Sequence, residues 1–271
     1  MRIIPKKSLG QNFLIDKNII QKICDSANLN GNNNVLEIGP GSGNLTEFIL
    51  KKNPKKFYVI EKDERLIKNL NERFKNKLII INDDILKYNL KLLSDKELII
   101  FGNLPYNISS QILIKFINYS FNEFSYQKLV LMFQKEVADR ILAKHNSKNY
   151  GRLSIFSSWK LNIKKIMDIY PSSFFPKPKI MSSLLIFEPK LNYIKFKNSK
   201  NLEHITNVFF NQRRKMIKKP LNIIFKDSKK VVDELSLNLK LRPQNLNKET
   251  FYKICKIFEK SINQTTNVQR Y

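Results

Sequence analysis

Acidic residues are scarce in this chain. Asp and Glu number 23 against 49 Lys and Arg, which leaves a formal charge of +26 over 271 residues. Such an imbalance favours a polyanionic partner, with nucleic acid ahead of an anionic membrane surface. An AT-rich genome would account for abundant Lys, Asn and Ile, but not for so few acids. Cysteine is scarcer still. Cys24 and Cys255 lie far apart with no metal-like spacing, and read as free, mostly buried thiols in a reducing compartment. His145 and His204 are the only histidines, so neither a Ser-His-Asp arrangement nor a zinc site is expected. No apolar run approaches the roughly 18 residues that a membrane helix needs. The amino terminus, Met1 to Lys7, is too short and too poorly apolar for a signal peptide. A cytoplasmic chain with one α/β domain and a smaller appendage is the expectation.

What is present is a series of short apolar runs, each followed by a polar turn. Val35-Leu36-Glu37-Ile38 leads into Gly39-Pro40-Gly41-Ser42-Gly43-Asn44, a strand, a glycine-rich turn and the start of a helix. The spacing is G-x-G-x-G, without the third glycine that a dinucleotide turn wants. Phe57-Tyr58-Val59-Ile60 ends in Glu61, about twenty residues past the glycines, where a carboxylate can accept hydrogen bonds from ribose hydroxyls. Glycines and acid together point to an adenosine-bearing cofactor. Leu78 to Ile81 is a third strand. The Asp83-Asp84-Ile85 that follows can offer a carboxylate to an exocyclic adenine amine, with Ile85 beside the ring, or is a plain Asp-rich loop. Leu98 to Phe101 and Gly102 then lead to Asn103-Leu104-Pro105-Tyr106, at the carboxyl end of a strand. An amide, a stiffened turn and an aromatic face suit a planar ligand carrying an amine; a Pro-containing strand-to-helix turn is the alternative.

Helices are expected from Asp16 to about Asn28, about Asp63 to Phe74, from Ile108 along the face Ile112, Phe116 and Tyr119, and from Gln134 to about Ala143. Lys128 to Phe133 and Ser182 to Phe187 read as strands. Lys144 to Lys148 reads as an exposed basic loop, and Trp159 as core. Between Tyr170 and Lys179 lies a stiff, basic, aromatic loop in which two prolines flank Phe175. From about residue 196 the pattern is helical, with Leu202, Ile205, Phe209 and Phe210 on one face and a last helix from about Lys248 to Glu259. Gln212 to Lys219 is the densest basic cluster. Five cations with almost no counterion favour phosphate contacts over a merely solvated face.

Taken in order, these signals resemble a known family. Lys7-Ser8-Leu9-Gly10-Gln11-Asn12-Phe13-Leu14, Glu37 to Thr46, Asn103 to Ser109, Tyr150 to Ser154, Phe174 to Pro178 and Gln212 to Lys215 look like the KsgA family of small-subunit rRNA adenine N6,N6-dimethyltransferases. The likeness spans nearly the whole chain and shows no departure at the core motifs. It implies a class I S-adenosylmethionine-dependent methyltransferase. The implied fold is α/β, a Rossmann-like seven-stranded mixed sheet with one antiparallel strand and a small helical carboxyl-terminal domain. The expected division is 1–195 for the methyltransferase domain and 196–271 for a helical RNA-binding domain. S-adenosyl-L-methionine would be held by Asn12, Leu14, Gly39, Gly41, Glu61, Asp84 and Asn103. Asn103 and the Leu104 carbonyl would accept the amine hydrogens of the target adenine, Tyr106 would stack on its ring, and Phe175 would cover the other face. Arg213, Arg214, Lys215, Lys218 and Lys219 would bind RNA. No metal is implied.

The implied activity is N6 methylation of adenines near the 3' end of small-subunit rRNA, two adjacent bases each dimethylated, within an immature small ribosomal subunit and by a monomer. Rival readings are an antibiotic-resistance methyltransferase acting on large-subunit rRNA, a DNA adenine methyltransferase, and a non-catalytic ribosome-assembly factor. Leu104 speaks against the DNA enzymes, which more typically carry Pro there.

Overall fold

Aliphatic runs of four to six residues, alternating with amphipathic helices, can bury both of their faces only in a parallel sheet covered by helices. The computed structural model describes residues 5–6, 9–93, 97–119 and 123–268, with side chains of the last helix through Ile262. Lys7 and Ser8 of the amino-terminal motif lie outside the described residues. The strands are β1 (Phe13–Leu14), β2 (Asn34–Ile38), β3 (Lys56–Glu61), β4 (Ile79–Asn82), β5 (Leu98–Asn103), β6 (Tyr126–Gln134), β7 (Leu161–Ile169), β8 (Phe174–Phe175) and β9 (Ser182–Pro189). The α-helices are α1 (Lys17–Ser26), α2 (Asn44–Leu50), α3 (Glu64–Phe74), α4 (Ser109–Asn118), α5 (Lys135–Leu142), α6 (Arg152–Lys160), α7 (Ser199–Asn211), α8 (Lys218–Ile224), α9 (Ser228–Leu235) and α10 (Lys248–Val268).

The main sheet has seven strands in the order β4-β3-β2-β5-β6-β9-β7. The first five run parallel, and β9 is antiparallel to both neighbours, so one strand is reversed, as the family resemblance implies. The register sets Ile38 beside Ile60 and Gly102, and Glu61 beside Asn82. The polar residues that follow β2, β3, β4 and β5 therefore emerge on one edge. Strand order reverses on either side of β2, which opens a crevice at the carboxyl ends where α/β proteins bind ligands. A second sheet of two strands pairs β1 with β8, matching Phe13 to Phe175 and Leu14 to Phe174.

Packing divides the chain into two units. The first comprises residues through Ala138 together with Leu161–Pro189, and the second comprises Asp139–Lys160 and residues from Lys190 onward. The boundary expected at 195 falls close to the second crossing. Residues 139–160, however, cluster with the carboxyl-terminal helices. The cause is aromatic: Tyr150 meets Phe210, and Trp159 meets Phe196 and Tyr193. Within this unit Phe209 and Phe251 pack edge to face, and Glu259 accepts hydrogen bonds from the Lys197 and Asn198 amides at the start of α7. No described helix is long and apolar enough to cross a membrane.

Candidate active site

The carboxyl edge of β2–β5 encloses a cavity of about 250 Å³. Its lining comes from Leu9–Leu14, the β2–α2 turn, Glu61 and Lys62, the Asp83–Leu86 turn, and Asn103–Ile108. Asn12, Leu14, Gly39, Gly41, Glu61, Asp84, Asn103, Leu104 and Tyr106 are thus brought together, although the chain separates them by up to about ninety positions.

Each arrives there for a local reason. Gly39 and Gly41 adopt φ of +63° and +59°, which L side chains rarely do. A Cβ on Gly41 would lie 2.8 Å from the Phe13 ring, so this glycine lets β1 close over the turn, whereas a Cβ on Gly39 would meet nothing within 4 Å. On the neighbouring strand, Glu61 is 7 % exposed. Its Oε1 accepts from the Lys62 and Asp63 amides at 2.8 and 2.9 Å, and its Oε2 from the Gly41 amide at 3.3 Å. Burial pushes the Glu61 carboxyl up, and the three amides pull it down. With one long bond on Oε2, the carboxylate keeps acceptor capacity toward the cavity.

Asp84 accepts from the Leu86 amide at 2.9 Å and from Lys62 Nζ at 2.8 Å. The Lys62 bond lowers its pKa, and the Lys62 side chain is 61 % exposed, so that pair is readily exchanged for a ligand amine. The next residue, Ile85, is buried and lines the same wall.

At the other end, β5 closes on Asn103, whose Nδ2 donates to the Asn12 carbonyl at 2.8 Å. A carbonyl only accepts, so the amide nitrogen must face Asn12 and Oδ1 is left as a free acceptor. Tyr106 is half-buried, and its hydroxyl lies 2.6 Å from Ser182 Oγ on β9. Phe175 is placed differently from the other catalytic candidates. The residue is 49 % exposed, and β8 lies one strand outside the β1 wall rather than in the cavity lining.

The basic candidates belong to the second unit. Arg214, Lys215, Lys218 and Lys219 are exposed at the α7–α8 connection. Arg213 is only partly exposed, and its guanidinium donates to the Lys148 carbonyl. It ties the basic loop of residues 144–148 to the cluster and has less freedom than its neighbours to meet a phosphate.

Two residues of the cavity lining carried no separate signal in the sequence. Glu37 is 2 % exposed at the end of β2, and accepts from the Thr46 hydroxyl at 2.7 Å. Burial drives its pKa up to about 8, with the Glu61 charge adding to the rise. Gln11 donates to Asp63, which Arg65 holds down at about 2, and this bond anchors the amino-terminal segment over the cavity. Both were visible only as members of motifs.

The donor set suits an adenosyl cofactor: a buried acceptor beside an open glycine turn, an acid at the far wall, and an amide oxygen opposite. Comparisons with known proteins point the same way. Residues 4–260 match the family model for ribosomal RNA adenine dimethylase. The chain is 57 % identical over 259 residues to the ribosomal RNA small subunit methyltransferase A of Pelagibacter ubique, covering 96 % of this chain and 98 % of that one. It is 44 % identical to the protein of the same name from a Wolbachia strain, over 91 % of each chain. A dimethyladenosine transferase structure from Plasmodium falciparum superposes with a TM-score of 0.78 at 28 % identity, covering 92 % of this chain and 98 % of that one. The structure of the 23S rRNA methyltransferase ErmE shares the fold, with a TM-score of 0.67 at 19 % identity over 90 % of this chain and 98 % of that one. The chain belongs to the ribosomal RNA adenine dimethylase family, a family of S-adenosylmethionine-dependent methyltransferases.

Proposed function

We propose that this protein transfers methyl groups to the N6 amine of two adjacent adenines near the 3' end of small-subunit rRNA, dimethylating each, during ribosome biogenesis. The observation that carries the reading is the Asn103 amide in the cavity lining, whose nitrogen is held by the Asn12 carbonyl so that its oxygen is left as the acceptor. Relatives named for the small subunit are 57 % and 44 % identical, whereas the large-subunit enzyme ErmE is 19 % identical, which supports the small-subunit substrate.

Glu61 and the Gly39–Gly41 turn would hold the ribose of S-adenosylmethionine, Asp84 and Ile85 its adenine, and Asn12 and Leu14 its methionine side. When bound, this cofactor supplies a sulfonium-activated methyl, whose loss leaves a neutral thioether. The target amine is a weak nucleophile, because its lone pair is delocalised into the purine, so positioning matters more than a strong base. Asn103 Oδ1 and the Leu104 carbonyl accept its two hydrogens, align the lone pair and stabilise the positive charge that develops on nitrogen. The alkylated nitrogen is acidic and releases its proton to water. Tyr106 stacks on the target base, and Phe175, exposed beside the cavity, covers it as it arrives. Base–aromatic stacking contributes about 1–3 kcal/mol per base, comparable to the few kcal/mol needed to extrude a base. The exposed cations Arg214, Lys215, Lys218 and Lys219, with Arg213 holding their platform, bind the phosphate backbone. The setting is cytoplasmic, the partner an immature small subunit, and the acting form a monomer.

Mass mapping of methylated adenines after incubation with undermethylated small subunits and labelled cofactor tests the reading. Dimethylated adenines near the 3' end of the small-subunit rRNA are expected. Methylation of large-subunit RNA alone would overturn it.

A further inference from the structure

Midway along α4, Lys115 spends its whole donor capacity on one turn. Its Nζ donates to the carbonyls of Ile85 at 2.7 Å, Leu86 at 3.0 Å and Tyr88 at 2.6 Å. An ammonium has three hydrogens, and all three are used. The turn itself is wound tightly about Asp84, whose carbonyl accepts from the Lys87 and Tyr88 amides, both at 2.8 Å. Winding it that way points three carbonyls at one spot, an arrangement that a compact point charge satisfies and the planar fork of an arginine does not. Lys115 is half-buried. Burial pushes its pKa down, and the charges of Asp84 and Asp83 push it back up.

α4 is a rigid base for such a clamp. Ile112, Leu113, Phe116 and Ile117 are buried along it. Its first turn grows directly out of the Asn103–Tyr106 turn, through Ile108 N to Pro105 O at 3.1 Å and Ile112 N to Ile108 O at 3.0 Å. We propose that Lys115 is a positioning residue for the cofactor: it ties the Asp84–Tyr88 turn to α4 and so sets the Asp84 and Ile85 wall relative to Asn103. This rests on the reading that the cavity holds S-adenosylmethionine. Of the other cations here, Lys62 bonds the Asp84 side chain from solvent and Lys87 acts on that carboxylate through its charge.

The test uses Lys115→Met and Lys115→Gln, with Glu61→Ala in parallel. Affinity for S-adenosylmethionine is measured by calorimetry, and kinetics are run on undermethylated small subunits. In Lys115→Met, Kd and KM for S-adenosylmethionine should rise by about tenfold or more, the scale of lost hydrogen bonds to a charged group. Lys115→Gln, which keeps a donor, should show a smaller rise. In both, kcat at saturating cofactor should stay within about twofold of the parent, the signature of weakened binding rather than of weakened transition-state stabilisation. An unchanged Kd in either folded variant, or a loss confined to kcat, overturns the proposal. Should Lys115→Met not fold, Lys115→Gln decides by the same readings. If Glu61→Ala weakens binding while the Lys115 variants do not, this inference alone fails. If none of the three changes Kd, the cofactor reading fails with it.

Discussion

Asn103 at the end of β5 donates its side-chain amide to the backbone carbonyl of Asn12, at 2.8 Å. A residue of the amino-terminal segment thereby decides which end of the Asn103 amide is left unbonded on the cavity side proposed to receive the substrate. Asn103→Ala should keep cofactor binding and lose methyl transfer by about 10²–10³-fold, the usual cost of removing one preorganised polar group. Asn103→Asp should fail similarly, because a carboxylate oxygen cannot donate to the Asn12 carbonyl. Single-turnover methylation checks both, and transfer near the parent rate would refute the positioning role.

Glu61→Ala removes the acceptor beside the glycine turn and leaves the Lys62, Asp63 and Gly41 amides without their partner. Affinity for S-adenosylmethionine should fall by about tenfold or more. Unchanged calorimetric affinity would refute the ribose assignment.

Glu37 makes stability depend on pH. Its carboxyl rises from an ordinary 4.5 to about 8 in the folded chain. Below 4.5 both states are protonated and nothing is lost. As pH climbs, the unfolded chain releases the proton while the folded chain retains it, so stability declines until ionisation near pH 8 completes the loss. Glu37→Gln should abolish that decline. The melting-temperature difference between variant and parent should shift in favour of the variant from pH 5 to pH 8, and parallel profiles would show that Glu37 is ionised in the fold.

Ser182→Ala removes the hydroxyl partner of Tyr106 and leaves the cofactor walls intact. Cofactor affinity should hold, while kcat/KM for RNA falls by about three- to tenfold, the scale of one hydrogen bond. A change in cofactor affinity would show instead that β9 supports the cavity itself.

Charge reversal at Arg213 and Arg214 should flatten the salt dependence of RNA binding, by about one unit of log–log slope for each phosphate that is no longer neutralised. The two single variants should differ. Arg213→Glu should also lower the melting temperature, since its guanidinium bonds the Lys148 carbonyl. Arg214→Glu, at an exposed position, should not.

The parallel strands were legible because their runs are mostly apolar, Glu37 in β2 being the exception within a run, and Asp16 announced α1 by capping its Asn18 and Ile19 amides. β7 was not legible: its run from Leu161 to Ile169 mixes Asn and three charged residues, and a register shift between Lys165 and Met167 interrupts its alternation. α8 and α9, seven and eight residues long, are too short to show a period beside the charge around them. Among the site candidates, the glycines and Glu61 stood out by type and spacing, whereas Asp84 was set apart from Asp83 only by the family resemblance. The Leu9–Asn12 segment has no periodicity and became legible only through family resemblance. Lys115 looked like any cation on an amphipathic helix, because the carbonyls it serves lie in a turn some thirty positions earlier.

The two-stranded pairing of β1 with β8 has a temporal meaning. The wall carrying Phe13 and Leu14 is latched by residues that leave the ribosome long after it, as the Asp16–Ser173 bond across 157 positions illustrates. A nascent chain that has just completed β5 already owns its glycine turn and its acids, yet lacks the latch that holds their cover down. On the cofactor assignment proposed above, competence to hold the methyl donor is a late event in synthesis, and a fragment ending before Ser173 should carry most of the cavity lining and bind S-adenosylmethionine weakly by calorimetry.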